Sequence, residues 1–382
     1  MASATPLGND KYKIYVELGY NEKGKRIRRT KTVTAKSQRA LKKAMTDFEI
    51  EVHKNKDAAN IEKITFEQFV ERWMDVYVKV NLMVKTRDAY NNYLKRGVME
   101  GLGKFEMDKI RAYHIEMFFK KQKEDGAKSL QGKYMMLKSI FSKALKWEVI
   151  KNNPMINVDP PRVEKKSREI QFYDEKQLKH LLKVLDDVYP KHRIMIKLAV
   201  LVGLRRTEIA GIRMENINYN DNSILIDKTL QYDKETKKFF LGPTKPKRSR
   251  IVHVPATFMK ELKEYAKQQK KLQLSCGSAW NPMLDDEGKP VNLLFTKKDG
   301  FPAHPDSLTG RWRDIVKRHN LPPLNLHGLR HTYASFAISR GVNFKVIQEQ
   351  LGHADIKQTL NTYSHLTKKD KQKASDVFNA IL

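Results

Sequence analysis

Cysteine, acidic side chains and long apolar runs are all scarce in this chain, and each scarcity excludes something. Cys276 is the one cysteine among 382 residues, so no internal disulfide can staple the fold and no cysteine cluster can hold a metal. A reducing, cytoplasmic setting is expected, in keeping with a start, Met-Ala-Ser-Ala-Thr-Pro, that lacks the charged-then-apolar order of a secretory signal. No apolar stretch approaches the roughly 20 residues that a membrane-spanning helix needs, and no lipidation motif is visible, so no membrane partner is expected.

Acidic residues number 44 against 74 Lys plus Arg, a formal net charge of +30 spread along the whole chain. A polyanion is the natural partner of such a surplus, and with the membrane set aside nucleic acid is the better one. The length exceeds what a single core sustains, so more than one domain is expected.

What is present falls into blocks. Tyr12-Lys-Ile-Tyr-Val-Glu-Leu alternates in the manner of a strand, and Asn21-Glu-Lys-Gly24 supplies turn chemistry before a second strand. A third short extended piece ending near Thr34, then a helix capped by Ser37 and carrying Leu41, Met45 and Phe48, makes residues 1–63 a three-stranded sheet with one helix. Basic residues run from Lys23 to Lys43 without an intervening acid. A solvated face would account for them, and a sheet laid into a DNA groove through Lys25, Arg26, Arg28, Arg29 and Lys31 is the alternative.

Residues 64–160 read as a basic helical domain. Thr65-Phe-Glu-Gln68 has capping-box form ahead of Phe69, Trp73 and Val76. Thr86 is expected to cap the helix carrying Tyr90, Tyr93 and Leu94, and His114–Lys123 and Ser129–Trp147 give two more before Asn152-Asn-Pro154 stops the chain. Helical spacing makes the aromatic and methionine positions core rather than platforms for bases. Proline and charge mark 161–171 as a linker. Residues 172–382 follow, with a capping box at Asp174 to Gln177, helices to Leu201, a β-stretch at Ile224-Leu-Ile and helices again from Asp306. The expected fold class is multidomain, mainly α with small β-sheets.

Chemistry-bearing residues concentrate in this last block. In Val202-Gly-Leu-Arg205-Arg-Thr-Glu208, Gly203 can supply a tight turn and Thr207 a cap, leaving Arg205 near a helix start, where its guanidinium and the backbone N–H groups favour a phosphate. In Leu326-His327-Gly-Leu-Arg330-His, His327 and Arg330 stand three apart and leave one face of a helical turn. Gly341 ends that helix, and Asn343 caps the next, which runs to Leu351-Gly352-His353. Ten residues after His353 comes Tyr363.

Taken singly, these are a surface arginine, a cap histidine and a helix-end tyrosine. Together and in order, Gly-Leu-Arg-Arg-Thr-Glu, His-Gly-Leu-Arg-His, Leu-Gly-His and Tyr resemble the tyrosine recombinase, or phage integrase, family over the layout of the whole chain. The resemblance implies an arm-type DNA-binding domain at 1–63, a helical core-binding domain at 64–160 and a mixed α/β catalytic domain at 172–382, the plan of lambda-like and conjugative-transposon integrases. It implies Tyr363 as the nucleophile, Arg205 and Arg330 clamping phosphate oxygens, His327 assisting proton movement and His353 donating a hydrogen bond to the phosphate. The family's leaving-group acid is a lysine on a β-hairpin. Lys245 fits by its place after Thr244, whereas counting back from Pro255 favours Lys247. Glu208 reads as structural support for Arg205, while Arg206, His331 and His365 read as packing or surface residues.

Exchanging one phosphodiester for another requires neither ATP nor a metal, so no cofactor is expected. A zinc reading of His327, His331, His353 and His365 is poor, because no cysteine joins them and no ligand spacing repeats. The implied partners are double-stranded DNA at core and arm sites, further copies of the chain in a homotetramer and an excision factor. The implied activity is integration and excision of a mobile element through a Holliday junction. A type IB topoisomerase and a recombinase-derived, non-catalytic DNA-binding protein are the rival readings.

Overall fold

Alternation of apolar and polar side chains along β2 anchors the first sheet, in which β1 (Ala2–Gly8), β2 (Lys11–Tyr20) and β3 (Arg26–Thr34) are antiparallel in the order β1-β2-β3. The computed structural model describes residues 2–20, 26–59, 64–162, 171–244 and 249–352, and these belong to two compact units, Met1–Lys165 and Lys166–Leu382. Ile14 and Val16 of β2, both fully buried, pack with Phe48 and Val52 of the Gln38–Ala59 helix. Ser37 caps that helix as expected, its hydroxyl accepting from Ala40 N at 3.2 Å.

The strands differ from the sequence expectation in one respect. Residues 26–34 form a single strand, and the remaining strand is the N-terminal Ala2–Gly8. Its small residues show little alternation, but Asn9 and Asp10, with φ of 51° and 57°, form the tight turn that pairs it with β2.

A second core fills the helical part of the first unit. The Thr65–Gln68 capping box is present, with Gln68 N donating to Thr65 Oγ1 at 3.3 Å and Thr65 N to Gln68 Oε1 at 3.0 Å. Phe66, Phe69, Val70 and Trp73 are buried against residues of the Ala112–Glu124 and Leu130–Lys146 helices, among them Ile115, Phe118, Leu137, Ile140 and Phe141. These aromatic residues are core, as their spacing predicts, whereas Tyr113, Met83, Met117 and Met135 are exposed and depart from that expectation. Thr86 is not a cap: the helix begins at Val84 with Met83 at the cap position, so Thr86 lies inside its first turn.

In the second unit, Asp174 caps the Glu175–Val184 helix reciprocally with Gln177. The Pro190–Leu201 helix is apolar nearly all round, with Ile194, Met195, Ile196, Leu198, Ala199 and Val200 buried, and it sits inside the largest core. β4 (Ile217–Asn218), β5 (Ser223–Ile226) and β8 (Arg250–His253) form one antiparallel sheet, and β6 (Lys228–Asp233) pairs with β7 (Lys238–Pro243) in another. The Ala256–Cys276, Pro305–Arg318, Leu326–Ser339 and Phe344–Leu351 helices complete it. No helix among the described residues is long and apolar enough to cross a membrane.

Candidate active site

The Gly-Leu-Arg-Arg-Thr-Glu residues, the first arginine box, enter the site through a short helix, Arg206–Ala210, with Arg205 at its cap position. Thr207 is therefore not the cap. Glu208, at the third helical position, reaches back instead, accepting from Arg205 N at 2.9 Å and from Arg205 Nη1 at 2.8 Å. That bond occupies the Arg205 N–H, one of the orphan donors at the start of the helix.

Gly203 makes this approach possible. Its φ is +76°, and a Cβ there would lie 2.6 Å from Leu351 Cδ2 and 2.8 Å from Tyr333 Cδ1. Only glycine combines that backbone with that contact.

The His-Gly-Leu-Arg-His box comes from the Leu326–Ser339 helix, whose cap Asn325 accepts from Gly328 N at 2.9 Å. His327 is exposed on its first turn, and Arg330, one turn on, is only 2% exposed. Arg330 Nη1 donates to Gly203 O at 2.7 Å and Nη2 to Leu351 O at 2.6 Å. Arg205 Nη1 reaches the same Leu351 O at 3.3 Å, and its Nη2 reaches Gly352 O at 3.2 Å. Both arginines therefore converge on the carbonyl end of the Phe344–Leu351 helix, where the backbone dipole is negative. Asn343 caps the other end of this helix as expected, accepting from Lys345 N at 2.8 Å.

Glu208 is 1% exposed at the middle of this cluster. Burial works to raise its pKa, but hydrogen bonds and charge from Arg250, with the charges of Arg205 and Arg330, win and hold it down at about 2. It is a fixed carboxylate. Arg206 points elsewhere, as expected, bonding Thr309 Oγ1 at 2.7 Å and pairing with Asp306 at 2.6 Å, whereas His331 does not. His331 stands edge-on to His327 at 4.8 Å between ring centroids, and burial, then Arg330, lowers its pKa.

Sequence reasoning left Arg250 without a role. It is the first residue of β8, its side chain 10% exposed, and it donates to both Glu208 oxygens and to Gln350 O. The signal available was its place in the Lys-Arg-Ser-Arg run. Lys25, Lys245, Lys247, His353, Tyr363 and His365 lie outside the described residues. Among the described residues no group of three or more His, Cys, Asp or Glu could hold a metal ion.

In the first sheet, β2–β3 register separates the basic candidates. Arg29 stands opposite Val16 and Lys31 opposite Ile14, on the face covered by the helix, and Arg28 stands opposite Glu17 on the other. Lys31 bonds Glu51 at 2.8 Å and lies over the Phe48 ring, while Arg28 pairs with Glu17 at 3.1 Å.

Residues 171–370 match the Phage integrase family, and residues 65–122 match the Phage integrase N-terminal SAM-like domain. The chain belongs to the phage integrase family. It is a tyrosine recombinase. A "Tyrosine recombinase XerC-like" protein of Caldanaerobacter subterraneus is 25% identical over 98% of this integrase-family chain and 97% of its own length. The ICEBs1 integrase of Bacillus subtilis is 23% identical over the full length of both. Among solved structures, the Tn1549 transposon integrase bound to transposon right end DNA superposes with a TM-score of 0.68 at 20% identity, covering 82% of this chain and 99% of that one. A lambda integrase dimer on a core site gives 0.56 at 16% identity, covering 94% and 93%. At such identities the structural likeness is one of fold.

Proposed function

We propose that this recombinase is the integrase or transposase of a bacterial mobile element, cutting and rejoining double-stranded DNA through a 3′-phosphotyrosyl bond at Tyr363. The convergence of Arg205 and Arg330 on one carbonyl oxygen carries the reading, because two guanidiniums aimed at a single point make a clamp for a phosphate. Relatives named as integrases and as transposases of Tn916 and Tn1545 support the mobile-element assignment.

In this mechanism the Tyr363 phenol oxygen attacks phosphorus, and the bond to the 5′-oxygen breaks. Arg205 and Arg330 stabilise charge on the non-bridging oxygens, with a hydrogen bond from His353. His327 assists proton movement at the tyrosine, and Lys245, or Lys247 in its place, protonates the leaving 5′-oxygen. The 5′-hydroxyl of a second strand reverses the step. Neither ATP nor a metal enters, since one phosphodiester replaces another.

Three domains divide the work: 1–63 holds arm sites, 64–160 holds core sites, 161–171 links, and 172–382 performs the chemistry. Strand exchange runs in a homotetramer through a Holliday junction, and an excision factor biases direction. Lambda integrase solved as a tetramer on a Holliday junction supports the assembly by likeness of fold. The test is a joining assay with two supercoiled plasmids, each carrying one end of the element that bears the gene. Joined product with a Holliday intermediate is expected. Relaxation without joining would instead identify a type IB topoisomerase, and binding without any strand cleavage a non-catalytic binder.

A further inference from the structure

We propose that Arg250 is a positioning residue for strand cleavage, setting the charge and place of Arg205 through Glu208; this rests on the reading of Arg205 as a phosphate clamp. Arg250 Nη2 donates to Glu208 Oε2 at 2.8 Å, and Nη1 to Glu208 Oε1 at 3.2 Å. That is a two-pronged pair, and Arg205 Nη1 shares Oε1 from the other side at 2.8 Å. The carboxylate is 1% exposed, so its charge is divided between two arginines with little screening by water. Without Arg250, Glu208 would hold Arg205 alone and draw its positive charge away from a phosphate.

Arg250 also donates through Nε to Gln350 O at 2.9 Å, in the last turn of the helix whose carbonyls meet Arg205 and Arg330. Gly352, at φ +65°, ends that helix, and a Cβ on it would lie 2.8 Å from Arg250 Nη1 and 2.9 Å from Arg250 Cζ. Glycine in the Leu-Gly-His box thus suits its left-handed backbone and leaves room for the guanidinium lying against it. Gln350 adds a second tie to β8, accepting from His253 N and donating to His253 O. One residue at the start of β8 therefore joins the end of the lysine-bearing stretch, the first arginine box and the helix leading to His353 and Tyr363.

The test measures the rate of covalent adduct formation at saturating protein, on a nicked duplex from an end of the element. DNA affinity and thermal melting are measured beside it. Arg250→Met should slow the adduct by about 100-fold or more while changing affinity by no more than about threefold, since the phosphate clamp rather than the binding surface is disturbed. Glu208→Gln added to Arg250→Met should restore about tenfold, because the unshared carboxylate is then gone. The single variant's rate, relative to wild type, should also rise as pH falls and Glu208 takes a proton.

An undiminished rate in Arg250→Met, or no recovery in the double variant, overturns the proposal. Should Arg250→Met not fold, Glu208→Gln is compared with the double variant: rates within about fivefold support action through Glu208, and a larger gap overturns it. No adduct with wild type overturns the recombinase mechanism itself, and this proposal with it, whereas a wild-type adduct with an undisturbed Arg250→Met overturns this proposal alone.

Discussion

Arg205 and Arg330 donate to the same acceptor, the carbonyl oxygen of Leu351, at 3.3 and 2.6 Å. Two like charges approach there because the oxygen lies at the negative end of a helix and Glu208 stands beside them. If these guanidiniums clamp the phosphate as proposed, recognition and fold share their hydrogen bonds, so substitutions at the site should move stability and chemistry together.

Glu208 makes that coupling measurable. Its pKa of about 2 lies below the ordinary 4.5, a depression worth about 3 kcal/mol when only the native carboxylate is paired. The sign follows: this stability is fully present above pH 4.5 and is lost as pH falls through 2. In denaturant melts, wild type should exceed Glu208→Gln by about 3 kcal/mol at pH 7, in line with the loss of one partner of a buried ion pair. The gap should close between about pH 5 and pH 2. A gap that stays constant down to pH 3 would contradict the assigned charge.

Gly203→Ala tests the turn before Arg205. The positive φ and the contacts with Leu351 and Tyr333 predict a loss of about 2–4 kcal/mol from backbone strain and overpacking together. Gly310→Ala, inside the Pro305–Arg318 helix where a Cβ meets nothing within 4 Å, is the control and should melt no lower than wild type, gaining about 0.5–1 kcal/mol from helix propensity. Equal melting temperatures for the two variants would contradict the packing described.

Strand register makes unlike predictions for two basic residues expected to touch arm-site DNA. Arg28 lies on the sheet face away from the helix, whereas Lys31 is engaged by Glu51 and Phe48 on the covered side. Arg28→Ala should weaken arm-site binding and reduce the slope of log affinity against log salt by about 1. Lys31→Ala should lower stability by about 0.5 kcal/mol, as for an exposed ion pair, and leave the slope unchanged. Equal slopes for the two variants would remove the assignment of the outer face.

Sequence periodicity and short-range chemistry made much of this fold legible. The caps at Ser37, Thr65, Asp174 and Asn343 are local bonds between a side chain and its own helix, so the letters suffice. Thr86 and Thr207 carry the same hydroxyl but are not caps, because a cap needs the chain to turn there. Met83 and Arg205 occupy the turning positions instead. β1 escaped notice because its small residues alternate weakly, and its evidence lay in the Asn9-Asp10 turn. Arg205, Glu208, His327 and Arg330 were legible as motif residues, but the meeting of Arg205, Glu208 and Arg330 at one helix end depends on contacts far apart in sequence. Arg250 was hidden for the same reason, since its partners Glu208 and Gln350 lie on two other elements.

The most direct measurement of the central claim is a denaturing gel for a protein–DNA adduct, formed in EDTA on nicked duplexes from the element's ends, with wild type and Tyr363→Phe side by side. An adduct in wild type alone, trimmed by protease to a DNA-linked peptide containing residue 363, is the predicted result. An adduct that persists in Tyr363→Phe, or one that forms only when a divalent metal is supplied, would contradict it.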